Sequence, residues 1–357
     1  MLSKDLENRN LIVDADDQLL VTGSNGFIGT RVVQCLLSYG FRNIRCLVRP
    51  TSNRTELEQT IGGFPAAVEV VEGNLTSRQD CARAARDVKV IFHLAAGFEK
   101  SFPGCVLNSV VTTRNLLDCL CQATDLKRFV NVSSFAVYSN FRLKRNALLD
   151  ETCELENDHV ARNEPYSFGK LKQDQIVIEY ADHHRIPYVI LRPGAVYGPG
   201  KAEITSRVGI DTFGIFMHLG GRNRIPFTHV SNCAEAVVLA GITKGVEGHI
   251  FNVVDDDIPT SREFLMDYKR KVGPLRYIYI PYRLFYLFCL LWERYSEWSG
   301  GQLPPAFNRR KCAAYWKGNL YSNRKLKELL GWSPRVSYNE GSSSYFDYLK
   351  KLRMSTC

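Results

Sequence analysis

The sequence predicts an α/β fold, a doubly wound parallel sheet with a smaller C-terminal lobe. Three observations carry this. Short apolar runs suited to buried parallel strands recur at Leu19–Val21, Ile44–Val48, Val68–Val71, Val90–Leu94, Phe129–Val132 and Tyr188–Leu191. Amphipathic stretches lie between several of them, notably Thr30–Tyr39, Val106–Ala123 and Tyr166–His183. This alternation calls for right-handed crossovers around one sheet. The first run stops at Gly23, and Gly26 and Gly29 follow at three-residue intervals before a helical pattern begins.

Each element has a physical reason. Gly23 lets the chain leave the first strand through a tight turn, Gly26 removes the side chain where a pyrophosphate must approach the backbone, and Gly29 lets the new helix pack closely on the sheet. Ser24, Asn25, Phe27 and Ile28 fill the same loop. The open N–H groups and dipole of the helix then face the anion, and Gly40 is a candidate C-cap. The second strand runs into Val48-Arg49-Pro50, with Ser52 and Arg54 beyond; the third ends before Asn74-Leu75, the fourth in His93-Leu94-Ala95-Ala96, and the fifth at Ser133-Ser134. Tyr166 and Lys170 are four apart in a helical stretch and share a face. The sixth strand closes with Leu191-Arg192-Pro193-Gly194, and His249–Val254 extends the sheet. Residues 1–17 are expected to form a tail, 18–193 plus 227–254 a dinucleotide-binding domain, and 194–226 plus 255–357 a substrate lobe. The Tyr-x-x-x-Lys spacing recurs at Tyr197/Lys201 and Tyr321/Lys325, but Gly198, Pro199 and Gly200 break the former and the latter lies far from the nucleotide half.

At 357 residues, 45% of them apolar and 23% charged, the chain is of globular composition. The polar start carries no signal peptide, and no apolar run is long enough to span a bilayer, which points to the cytoplasm. Eleven cysteines without a C-x-x-C pair fit reduced thiols rather than a disulfide framework or a metal site. The net charge of +9 is dispersed, with short clusters such as Arg309-Arg310-Lys311 and no nucleic-acid motif; a phosphorylated small ligand is the simpler account. Tyr279–Tyr295 is strongly apolar and aromatic after Pro281. A buried helix or a wall of the substrate pocket is the preferred reading, and a weak interfacial membrane contact through 282–295 is the alternative.

The Gly-x-x-Gly-x-x-Gly spacing, with Asn74-Leu75, His93-Leu94-Ala95-Ala96, Ser133-Ser134, Tyr166-Ser167-Phe168-Gly169-Lys170 and Leu191-Arg192-Pro193-Gly194, resembles the extended short-chain dehydrogenase/reductase family, the NAD-dependent epimerases and dehydratases of Rossmann type. The resemblance runs from about Gln18 to about Leu349. Phe227–Asn232 and the apolar helix after Pro281 resemble its 3-beta-hydroxysteroid dehydrogenase branch.

The resemblance implies that Tyr166 is the general acid/base of an alcohol–ketone interconversion, with Lys170 favouring tyrosinate and binding the nicotinamide ribose. It implies that Ser134 holds the reacting oxygen and Asn108 supports a proton-relay water. It further implies cofactor contacts from Gly23, Ser24, Asn25, Gly26, Phe27, Ile28, Gly29, Arg49, Asn74, Leu75, Leu94, Ala95, Ala96, Tyr166, Lys170, Pro193 and Val196. Val48 stands where NAD-specific relatives carry an acid and Arg49 follows, so NADP is expected over NAD. Phe98, Ser134, Arg207 and Arg224 are the candidate substrate contacts, and Arg192 and Arg222 are further candidates for a diphosphate. Phe135-Ala136 replace the acid pair of the sugar-nucleotide dehydratases, so water elimination is not expected. The implied activity is hydride transfer at a secondary alcohol or ketone, of a nucleotide sugar first and of a steroid-like or other apolar alcohol as the alternative. Epimerisation and net redox chemistry stay open at this point, as does a non-catalytic NADP-binding sensor. A homodimer pairing helices 106–123 and 166–183 is also expected.

Overall fold

Seven parallel strands form the central sheet: β1 (Leu19–Thr22), β2 (Asn43–Val48), β3 (Ala67–Glu72), β4 (Val90–His93), β5 (Arg128–Val132), β6 (Tyr188–Pro193) and β7 (Ile250–Val253). Their spatial order is 3-2-1-4-5-6-7, so the order reverses between β1 and β4. In open α/β sheets a ligand crevice opens at such a switch point, beyond the carboxyl ends of the strands. β1, β4 and β5 are buried on both faces, which is why they read as continuous apolar runs rather than alternating ones. The computed structural model describes residues 2–7, 9–121, 125–212, 214–300, 302 and 306–356.

Helix α1 (Phe27–Ser38) follows β1 and packs against α3 (Val230–Ile242) on one face of the sheet. α2 (Pro165–His184) lies beside the helical run from Phe102 to Asp118. That run is not the single α-helix that the sequence suggests. Val106–Val111 is a π-helical stretch between two α-helical pieces, and positions 122 and 123 of the expected helix lie outside the described residues. Residues of the N-terminal segment are docked on the main core, with Leu6 and Val13 buried and Leu11 bridged to Thr243. A second core, including Phe227, Phe264 and Phe346, joins the segment after β5, with Phe135 and Tyr138, to C-terminal elements.

Helix α4 (Tyr282–Trp298) departs from the expectation of a buried element. Only Phe285, Cys289 and Ser296 are buried, and none of its residues lines the cavities at the sheet's carboxyl edge. Its apolar residues recur at a spacing that serves an outer stripe as well as an inner one. Among the described residues no helix is long and apolar enough to cross a membrane. The ten described cysteines are free.

Candidate active site

The glycine loop is built as its spacing demands. Gly23 has φ +68°, and a Cβ on Gly29 would sit 2.0 Å from the Gly23 carbonyl oxygen. Gly26 caps α1 without any side-chain hydrogen bond, and the first turn holds no acidic residue. The N–H groups there are therefore open to an anion. Asn25 Nδ2 donates to Asn53 O (3.0 Å), tying the loop to the segment after β2. Ser24 plays a different part from the one expected: it is buried, and its hydroxyl donates to Leu47 O (3.3 Å), bracing β1 on β2.

Two cavities meet at this loop and share Gly23, Gly26, Leu94, Ala96 and Phe98. One, of about 430 Å³, runs over the ends of β2 and β3 past Val48, Arg49, Asn74 and Leu75. Arg49 is exposed and has no carboxylate partner among the described residues, whereas Arg54 is held by Glu58 and Glu72. The other, of about 410 Å³, lies over the ends of β4, β5 and β6 and is lined by Ser134, Tyr166, Lys170, Val196, Lys201 and Arg207 among others. An elongated ligand with a diphosphate at its middle fits this pair of hollows, with the helix N-terminus at the point where they join. The residues present therefore suit a nicotinamide dinucleotide.

Tyr166 and Lys170 come from the first turns of α2 and face the second cavity together. Burial raises the Tyr166 phenol to about 12, with Glu164 adding to the rise and a hydrogen bond with Ser134 opposing it. Burial lowers Lys170 to about 8, and the Asp174 carboxylate partly restores it. Lys170 Nζ donates to Val132 O (2.6 Å) and to Gln173 Oε1 (2.9 Å). Gln173 Nε2 donates in turn to Thr113 Oγ1 (2.8 Å), and Thr113 donates to Ser109 O (2.6 Å). With its proton so committed, Thr113 accepts from His93 Nε2 (2.9 Å), and His93 Nδ1 accepts from Thr22 (2.8 Å). Burial keeps this histidine neutral, with its pKa lowered to about 3. A continuous polar chain thus joins the lysine to the end of β1.

The two serines divide their work. Ser133 donates to the buried Asp174 (2.9 Å), which also pairs with Arg192 at 3.2 Å. Ser134 lies at the cavity, next to Tyr166. Arg192 is accordingly a buried structural cation and not a diphosphate ligand. Arg224 is exposed, donates to Ile258 O (3.0 Å) and lines neither cavity, and Arg222 lines neither; of the four arginines expected at the substrate, Arg192, Arg207, Arg222 and Arg224, Arg207 alone lines a cavity. Pro193 is buried within β6 and lines neither cavity, whereas Gly194 and Val196 do line one. Asn108 sits on the π-helical stretch, donates to Glu99 Oε1 (3.2 Å) and lines the Arg49 cavity; the groups that touch Lys170 are Val132 and Gln173. Phe98 is 80% exposed and stacks on the Tyr166 ring at 4.9 Å. Sequence reasoning missed Lys201 and Tyr315 as cavity residues. Lys201 was passed over because its Tyr-x-x-x-Lys spacing is not helical, and Tyr315 carries no local signal at all. Tyr197 is buried among aromatic rings, and Tyr321 stacks on Phe135, so neither tyrosine of the other two motif copies lines the cavity.

A profile of the NAD dependent epimerase/dehydratase family matches residues 19–253. The chain belongs to this family. It is an enzyme of the extended short-chain dehydrogenase/reductase type. Proteins similar to this chain include a UDP-glucose 4-epimerase of Vibrio cholerae, 24% identical over 90% of this chain and 92% of its own length. They also include 3beta-hydroxysteroid-dehydrogenase/decarboxylase isoform 1 of Arabidopsis thaliana, 23% identical over 96% of this chain and 82% of its own length. Among solved structures, UDP-glucuronic acid 4-epimerase from Bacillus cereus, in complex with NAD, superposes with a TM-score of 0.69 at 21% identity, covering 94% of this chain and 99% of that one.

Proposed function

We propose that this enzyme moves a hydride between a nicotinamide dinucleotide, NADP in preference to NAD, and a secondary alcohol or ketone carbon of an anionic substrate, a nucleotide sugar foremost. One observation carries the reading: Ser134, Tyr166 and Lys170 line the same cavity as two basic side chains, Lys201 and Arg207. The nicotinamide ring, when bound, supplies the hydride acceptor or donor. Tyr166, with its phenol at about 12, is a proton donor at neutral pH and serves ketone reduction directly. In the oxidising direction Tyr166 acts as tyrosinate, the form that the Lys170 ammonium favours, and on taking the hydroxyl proton it returns to the neutral phenol. Ser134 shares a hydrogen bond with Tyr166 and orients the reacting oxygen against it. Lys201 and Arg207 bind the anionic part, and Arg207 also lies over the Tyr315 ring at 5.4 Å, which fixes its direction. The exposed Arg49 and the absence of an acid after β2 support NADP.

The aromatic lining, Phe98, Phe135 and Tyr315, favours a second reading: an apolar alcohol of the hydroxysteroid kind. Binding of UDP-, GDP- and dTDP-sugars against sterols, with NADP present, separates the two. Purified protein should also be denatured and its supernatant assayed for nicotinamide cofactor. Stoichiometric bound cofactor with isomerised substrate and no net change at the reduced-nicotinamide band supports epimerisation. An empty protein that consumes NADPH with a ketone supports net reduction. No turnover and no binding across the whole panel would overturn the proposal.

A further inference from the structure

We propose that α4 docks this protein, lying in the plane of the interface, onto a membrane surface that carries anionic lipid. Leu284, Leu287, Phe288, Leu291, Tyr295 and Trp298 are all exposed, Leu291 at 61% and Trp298 at 81%. Their spacing of three and four places them on one stripe. The opposite face is anchored: Phe285 and Cys289 are buried, and Phe285 meets Trp316 edge-on at 5.3 Å. Along the stripe an apolar hollow of about 540 Å³ opens against Met217, Ile280 and Phe307. Ile215 and Ile278 are exposed and share a sheet face with Met217 and Ile280 by the two-residue period of their strands, which widens the patch.

A contiguous apolar surface of this kind marks a contact with a protein or a lipid phase. The charges around it select the lipid. Arg276, Arg283 and Arg294 are exposed beside the stripe, and none has a carboxylate partner among the described residues. An isologous contact between two copies would bring the same three unpaired cations of both to one seam, whereas anionic headgroups neutralise them. Tyr295 and Trp298 place amphipathic rings at headgroup depth. With seventeen residues, among them Arg283, Glu293, Arg294 and Glu297, the helix cannot span a bilayer. The assignment is independent of the reaction proposed above.

The full chain should be sedimented with vesicles of phosphatidylcholine alone and of phosphatidylcholine mixed with phosphatidylglycerol. The expected result is co-sedimentation with the mixed vesicles, weaker with the neutral ones and weakened by salt. Leu284→Glu with Leu291→Glu should abolish it while leaving thermal stability and cofactor affinity unchanged, since both side chains point outward. Arg283→Gln and Arg294→Gln should each lower vesicle affinity about fivefold, and they keep the test decisive should the leucine pair fail to fold. Three outcomes overturn the proposal: wild-type protein left in the supernatant with mixed vesicles, unchanged binding of the leucine pair, or a dimer that the leucine pair dissociates without any vesicle binding by wild type.

Discussion

Replacing Lys170 with Met removes a cation that the fold buries at a cost. The side chain is 3% exposed, and burial lowers its pKa from 10.5 to about 8. At about 1.4 kcal/mol per tenfold change in proton affinity, that difference amounts to about 3 kcal/mol of folding free energy linked to pH. The sign follows from proton counts. Between pH 8 and pH 10.5 the unfolded lysine holds its proton and the folded one releases it, so wild-type stability rises with pH across this window. The lysine's contribution is fully present above pH 10.5 and is lost as pH falls through about 8. Lys170→Met lacks this dependence. It also loses the hydrogen bonds to Val132 O and Gln173, whose change on deprotonation of Nζ is contained in the shifted pKa. Urea unfolding of both proteins from pH 7 upward therefore reads the linked part, because titrating groups that do not feel the Lys170 charge cancel in the difference, leaving Lys170 with the neighbours it acts on, such as Asp174. Wild type should gain on Lys170→Met by up to about 3 kcal/mol between pH 7 and pH 10.5. The same variant should lose turnover and bind cofactor less well. A stability difference that stays flat with pH would refute the burial argument.

Tyr166→Phe should fold and bind cofactor normally while turnover falls by roughly two to four orders of magnitude, measured as steady-state kcat; wild-type rates would remove Tyr166 from the mechanism. Arg49→Asp should weaken NADP roughly tenfold to a hundredfold, with a much smaller effect on NAD, read by titration of intrinsic fluorescence; an unchanged NADP/NAD ratio would count against the cofactor preference. Arg207→Met should raise KM for an anionic substrate by roughly tenfold to a hundredfold and leave kcat for a neutral ketone unchanged. Gly29→Ala should fail to bind either cofactor or fail to fold, since its Cβ would lie 2.0 Å from Gly23 O, whereas Gly62→Ala, which meets nothing within 4 Å, should be neutral in both assays.

The sheet was legible because buried parallel strands leave a strong signature. β1, β4 and β5 admit no polar face, and the seven strands begin and end within about two residues of the apolar runs that announce them. The helices were less so. A π-helical stretch such as Val106–Val111 keeps a helical apolar pattern, and nothing in composition distinguishes it from the α-helix on either side. At the site, the motifs carried by backbone demands came through clearly: the glycines of the loop, and Tyr166 and Lys170 on one helix face. Polar side chains beside those motifs did not. Ser24 and Arg192 occupy ligand-like positions in sequence yet turn inward, to Leu47 O and to Asp174, because a buried backbone carbonyl and a buried carboxylate both need partners.

The residues that line the second cavity come from distant parts of the chain, and their meeting depends on tertiary packing alone. Arg207, Lys201 and Tyr315 converge on one cavity although more than a hundred residues separate the first two from the last. Arg207 and Arg224 look equivalent in sequence, both arginines in the segment before Phe227, yet one lies over Tyr315 in the cavity and the other donates to Ile258 O at the surface. Helix α4 is a parallel case. Periodicity reports that a helix has an apolar stripe, and the sequence alone cannot say whether protein or lipid covers it. Here the helix has two such faces, and among the described residues protein covers only the one that holds Phe285 and Cys289. The outer face joins leucines and aromatic rings to cations without acidic partners among the described residues, a combination that a protein core has no use for and an anionic bilayer surface satisfies.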